Sequence, residues 1–252
     1  MILLQPTSVL AQFIGGSSFN GTDSVVATWS GKGSAASIGF AALGMAPPRL
    51  QNLGGVVQLI LGSSYACRWA TPDYRWKIIP NTVAEADGLC EVLYYRTFQK
   101  DEHLPYRFLW FVNVPYDIRT YVISNVSGVD VASNNNGNSN VLTANGVTTT
   151  EVGDYLMAFY ANLGSGTWRK PSNMGIAVEN DYAYSDPPNP ANFNFRNLAT
   201  QAWAYPAAAT GNKVATVSGN PTQWVADVVA FKPLYRIRPR QSARKGSTRL
   251  HE

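Results

Sequence analysis

Apolar and polar residues alternate with a period of two along much of this chain. In residues 24–30, Val25, Ala27 and Trp29 fall on one face and Ser24, Thr28 and Ser30 on the other. Ile176, Val178, Tyr182 and Tyr184 likewise share a face opposite Ala177, Glu179, Asp181 and Ala183. This is the signature of strands buried on one side. Residues 106–113, 120–124 and 154–161 are rich in aromatic and β-branched side chains, which suit a pleated surface. The same reading predicts strands over 37–43, 56–61, 65–70, 75–79, 89–98, 201–205 and 213–218. The run 222–231 is apolar at nearly every position, which predicts a strand in the middle of a sheet. No amphipathic pattern of helical length intervenes. The expectation is an all-β sandwich of about a dozen strands.

Turn residues separate these runs. Asn20-Gly21, Asn136-Gly137, Asn145-Gly146, Gly211-Asn212 and Gly219-Asn220 accept positive φ at low cost. The tract Asn134-Asn-Asn-Gly-Asn-Ser-Asn140 is read as a break that no strand continues through. Thr82-Val-Ala-Glu85 is a capping-box pattern opening a single helical turn ended by Gly88, so at most one short helix is expected. Pro47-Pro48 and Pro187-Pro-Asn-Pro190 mark stiff loops. The sequons at Asn20 and Asn125 are read as turns.

Composition narrows the picture. Only 14% of the 252 residues are charged, well below an average soluble domain, so much of the surface is uncharged. Such surfaces suit packing against other protein, because ion desolvation is avoided at the contact. The formal charge of +4 is unevenly spread. Residues 232–252 carry a net +6 and residues 1–231 a net −2, which divides the chain into a β domain (1–231) and a basic C-terminal arm (232–252). The arm's cations are Lys232, Arg236, Arg238, Arg240, Arg244, Lys245 and Arg249. Three readings are open for it: a free extension, a salt-sensitive nucleic-acid contact, and an arm that docks on a neighbouring subunit, the last preferred. Specific nucleic-acid binding is not expected, since no aromatic after Tyr235 is placed to stack a base.

The segment Met1-Ile-Leu-Leu-Gln-Pro6 lacks the basic start of an export signal, and no run reaches the ~18 apolar residues of a membrane-spanning helix. Synthesis in a cytosol is therefore expected. Cys67 and Cys90 are too few for a disulfide framework. They are read as two reduced, buried thiols, with a cross-strand bridge as the alternative.

Candidate chemistry is sparse. The chain has two histidines, His103 and His251, and His103 sits in Asp101-Glu-His103, read as a solvated hairpin tip. No Cys/His cluster supports a zinc site, so neither metal nor cofactor is expected. Glu179 and Asp181 match the first two carboxylates of a glucanase-type strand, but the third position is Tyr184, so the leaving-group acid is missing. No phosphate-cradling glycine loop is present. Glycan binding through stacked aromatics is the stronger alternative, with Trp168, Tyr182, Tyr184 and Trp203 as its candidates.

One resemblance accompanies these residues. Ser127-Gly-Val-Asp130, a polar insert, the Thr-rich run 147–150, Gly153-Asp-Tyr-Leu156 and the closing Ala226-Asp-Val-Val-Ala-Phe231 resemble lectin-like jelly-roll modules of tailed-bacteriophage virion proteins, over about 56–231. The resemblance implies a jelly-roll sandwich. It implies a non-enzymatic role in the virion as a capsid decoration or tail-associated protein, made in the host cytoplasm. Its partners would be copies of itself, other virion proteins or a host-surface glycan. It carries over no catalytic residue. A receptor- or glycan-binding module is the first alternative, a polysaccharide-degrading enzyme the second.

Overall fold

The computed structural model describes residues 12–13, 26–38, 53–72, 75–98, 106–164, 166–186, 189–204 and 206–234. Among them the chain is almost entirely strand, in three antiparallel sheets. The first contains β1 (Gln12–Phe13), β2 (Val26–Ile38), β3 (Leu53–Leu61), β4 (Thr71–Pro72), β5 (Lys77–Ile78), β6 (Ala84–Ala86), β7 (Leu89–Thr97) and β8 (Tyr106–Ser124). Its path is β1-β8-β3-β7-β5, with β2 and β4 also pairing with β8 and β6 with β7. The second sheet runs in the order β13 (Gly175–Asp186), β14 (Asn189–Ala204), β11 (Asp154–Leu163), β16 (Thr222–Pro233) and β9 (Val126–Ser139). The third is β10 (Val141–Ala144), β15 (Lys213–Val217) and β12 (Trp168–Arg169), in that order.

Side-chain alternation shows how the sheets stack. On β16, Val225, Val229 and Phe231 pack with residues of the eight-stranded sheet, whereas Trp224, Ala226, Val228 and Ala230 pack with Leu142, Ala215 and Val217 of the three-stranded sheet. β11 divides in the same way, with Tyr155, Met157 and Phe159 on one side and Leu156, Ala158 and Tyr160 on the other. The five-stranded sheet is therefore the middle layer, covered on both faces, which is why 222–231 carries apolar residues at nearly every position. The outer face of the eight-stranded sheet is covered too. Val57, Leu59, Val92, Tyr94 and Val122 meet Ala66, Cys67, Trp76 and Phe108 there.

Several local expectations are corrected. The tract 134–140 lies mostly within β9, whose pairing with β16 runs on to Ser139↔Thr222. Two effects override its weak strand propensity. A Cβ at Gly137 would lie 2.6 Å from the Trp224 ring, so the indole occupies the space that glycine leaves. The asparagines, alternating across the strand, reach opposite layers: Asn134 Nδ2 donates to Val83 O (3.0 Å), and Asn135 Nδ2 donates to Thr143 O (2.7 Å). The tract stitches the layers together.

Residues 82–85 do not form a helical turn. They lead into a tight β6–β7 hairpin whose two-residue loop is Asp87-Gly88, with Gly88 at φ 71°. The one described helix is instead a 3₁₀ turn, Ala66–Trp69, where a strand is expected from sequence. Within 147–150 only a single bridge forms, Thr148↔Ala209. Asn189 and Pro190 belong to β14 rather than to a loop. Sixteen strands stand among the described residues where about a dozen are expected. β16 carries the β domain through Lys232 and Pro233, which pair with Gly128 and Val126, past the expected boundary at 231.

The cysteines are bridged, not reduced. Cys67, on the 3₁₀ turn, is joined to Cys90 of β7 with their Cα atoms 5.9 Å apart. Packing of the turn over the sheet brings together two thiols that sequence spacing alone leaves ambiguous.

Candidate functional site

The eight-stranded and five-stranded sheets meet through two apolar clusters with a polar band between them. On β3, Gln58 lies between Val56 of one cluster and Ile60 of the other, two residues away on either side. Glu91 lies between Leu93 and Leu89 on β7, and Asp227 between Val229 and Val225 on β16. β8 adds Asp117, Arg119 and Tyr121, and β14 adds Asn197; every one of these is fully buried.

The band is hydrogen-bonded across layers. Tyr121 Oη donates to Gln58 Oε1 (2.7 Å), and Gln58 Nε2 donates to Glu91 Oε2 (2.9 Å). Arg119 Nε donates to Asp117 Oδ2 (3.0 Å), which also accepts from Asn197 Nδ2. Glu91 faces Asp227 across the sheets. Burial pushes the Glu91 carboxyl up to about 6, against the pull of its hydrogen bonds and of Arg119. Burial, then the adjacent Glu91, raises Asp227 well above the ordinary carboxylate range. Both shifts have the same cause: two buried charges side by side are too costly. The arrangement is sealed between layers, so its chemistry is internal: it fixes how the two sheets match.

A second carboxyl pair lies where β9, β11 and β16 meet. Burial raises Asp130, but it is opposed by Thr150, which donates from its backbone N to Oδ2 (2.6 Å) and from its hydroxyl to Oδ1 (2.5 Å), and by Asp154 beside it. Lys232 Nζ, 3.3 Å from Oδ1, adds to the pull, and Asp130 ends below its usual value. Asp154, fully buried beside it, is pushed up to about 8 by burial and by Asp130.

The four aromatic glycan candidates do not converge. Trp168 is a core residue, 8% exposed, with its ring centroid 6.4 Å from that of Tyr160, so its face is closed to a sugar. That corrects its candidacy: β12 turns Trp168 inward and Arg169 outward. By backbone register, Tyr182 lies opposite Phe195 and Tyr184 opposite Phe193, on β13 and β14. Trp203 lies opposite Tyr155, eight residues along β14 from Phe195, or about 26 Å at 3.3 Å per residue. The arm residues Arg236, Arg238, Arg240, Arg244, Lys245 and Arg249 lie outside the described residues, as does the Asp101-Glu-His103 segment. No group of three or more His, Cys, Asp and Glu among the described residues is placed to hold a metal ion.

Two surface features have no counterpart in the sequence reading. One is the outward face of the three-stranded sheet, where Val141, Thr143, Val214 and Thr216 alternate with the buried Leu142, Ala144, Ala215 and Val217. The other is the disulfide-tied turn, which holds Tyr65 and Trp69 in solvent. The signal for the first was period-two alternation in residues 213–217, with valine on the wet side.

These features define a class: an all-β protein of stacked antiparallel sheets with a polar band locked inside. Compared with protein-family models, with curated proteins and with solved structures, the chain matches none.

Proposed function

We propose that this chain is a non-enzymatic structural protein that packs against copies of itself and other proteins in the particle of a tailed bacteriophage, as a capsid decoration or tail-associated subunit with a jelly-roll-type sandwich. The observation that carries the packing role is the outer face of the three-stranded sheet. Cross-strand neighbours there are Val141 with Thr216 and Thr143 with Val214, all β-branched, and the two valines are 50% and 42% exposed. The one charged side chain projecting from this face is Arg169, opposite Thr216. Lys213, at the start of β15, is buried and donates its Nζ proton to Thr210 O (2.6 Å), so its charge is turned away. A β-branched surface carrying a single charge is a contact surface, because meeting it requires little ion desolvation. The phage setting rests on the resemblance of residues 56–231, and the basic arm supplies a second attachment.

Paired Val141→Lys and Val214→Lys substitutions test the reading. Both sites are exposed, so the variant keeps the melting temperature of the parent. It is expected to sediment as a monomer and to be left out of particles that incorporate the parent chain. Incorporation equal to the parent overturns the proposal.

A second reading, a glycan-binding module, is favoured by a different observation: the two most exposed aromatic side chains among the described residues sit together on one rigid turn.

A further inference from the structure

Among the described residues, Trp69 and Tyr65 are the large hydrophobic side chains most open to water, at 67% and 62% exposure. The turn that carries them is firmly anchored. Ala66 and Cys67 are buried, Cys67 is bonded to Cys90 of the sheet beneath, and Cys67 N donates to Cys90 Sγ (3.1 Å). Arg68 N and Ala70 N close on Tyr65 O and Cys67 O, both at 3.2 Å, and Ser64 Oγ accepts from Gly88 N (2.8 Å). Between the aromatics, Arg68 makes a two-point pair with Glu85: Nε donates to Oε1 (2.6 Å) and Nη2 to Oε2. Trp76 and Phe108 cover the same sheet face with their rings turned inward. Tyr65 and Trp69 are turned outward.

We infer that the Tyr65–Trp69 turn is a glycan-binding site, with the rings as stacking faces and the Arg68–Glu85 pair as the element that reads hydroxyls. The pair sets donors and acceptors side by side. Guanidinium N–H groups outside the pair donate and free carboxylate lone pairs accept, which matches neighbouring hydroxyls that each do both. An apolar partner would cover this pair without replacing the water it strips away. The rings sit at the two ends of the same turn, Tyr65 at its start and Trp69 at its last residue. Rings at both ends of one turn suit successive units of a chain better than one sugar ring, and the covalent tie lowers the ordering cost of binding.

The inference gives the glycan-binding reading a location and rests on that reading, independently of the packing face. The test applies the parent chain, Trp69→Ala, Tyr65→Ala and Val214→Lys to a printed panel of neutral and acidic oligosaccharides, with titration calorimetry on the best binder. The expected result is binding by the parent that falls at least tenfold in Trp69→Ala and Tyr65→Ala and is unchanged in Val214→Lys. Binding that survives Trp69→Ala overturns this location while leaving a glycan-binding role. Absence of any binder on the panel overturns both. Self-association that Trp69→Ala abolishes, without glycan binding, assigns the turn to a protein contact and overturns the site.

Discussion

Stability is expected to fall as pH rises from about 4.5 to 7, the reverse of ordinary acid denaturation. Two buried carboxyl pairs hold protons that the unfolded chain gives up. Unfolded Asp and Glu ionise near 3.9 and 4.3, whereas folded Glu91 is raised to about 6, Asp154 to about 8, and Asp227 is raised as well. Between those limits the folded state binds more protons, so each rise in pH favours unfolding. Counting Glu91, Asp227 and Asp154 as one retained proton each, the ceiling is about 4 kcal/mol per pH unit below about pH 6, and a loss of about 1–3 kcal/mol per unit is expected. Asp130, lowered, acts in the opposite sense but only near and below pH 4. The other charged groups at the first pair are Asp117 and Arg119, and at the second Glu151 and Lys232. Urea unfolding at fixed ionic strength, repeated every half unit from pH 4.5 to 7.5, reads the slope. Asp227→Asn and Asp154→Asn should each flatten it by about one proton's worth, about 1.4 kcal/mol per unit. Stability that is flat or rises over this range, or a slope that neither variant changes, refutes the assignment.

Other outcomes follow from the packing. Replacing both Cys67 and Cys90 by Ser opens a loop closed over 23 residues and should cost about 3 kcal/mol, read as a lower urea midpoint that reductant reproduces in the parent chain. Gly137→Ala puts a methyl group into the Trp224 ring and should cost about 1–3 kcal/mol, with a shift in tryptophan fluorescence marking the displaced indole. Arg119→Met removes the cation beside buried Asp117 and should cost about 3–5 kcal/mol by urea unfolding. Truncation after Leu234 keeps all of β16 and should leave the melting temperature unchanged while reducing particle incorporation.

Legibility in the sequence followed the range of the forces involved. Runs rich in apolar and β-branched residues located β3, β7, β11, β15 and β16, because a strand covered by other layers is apolar whatever covers it. The Asn tract was misread because its strand pairing depends on Trp224, 87 residues along the chain from Gly137, filling the space over the glycine. Gly88 was read as the end of a helical turn opened by the capping-box pattern at Thr82, whereas pairing of Ala84 with Glu91 makes Asp87-Gly88 a hairpin loop. Trp168 and the exposed Tyr65 and Trp69 carry no local signal of which is core, since that depends on which side of a turn a distant sheet lies.

The polar band was readable in principle. Three of the five strands that carry it have one polar residue within an apolar run: Val57-Gln-Leu59, Cys90-Glu-Val92 and Ala226-Asp-Val228. Such residues cost stability unless they meet partners, so their presence signals specificity. In a middle sheet covered on both faces, apolar side chains alone would tolerate a one-residue slip of β16, because either face finds a hydrophobic neighbour. With Asp227 in place, the slip would drive a carboxyl group in among Leu156, Ala158 and Leu198, away from Glu91. Charge is thus used inside, where it fixes register, and limited to Arg169 on the Val/Thr face outside. The packing role proposed above requires that division, because every copy would have to present the same surface.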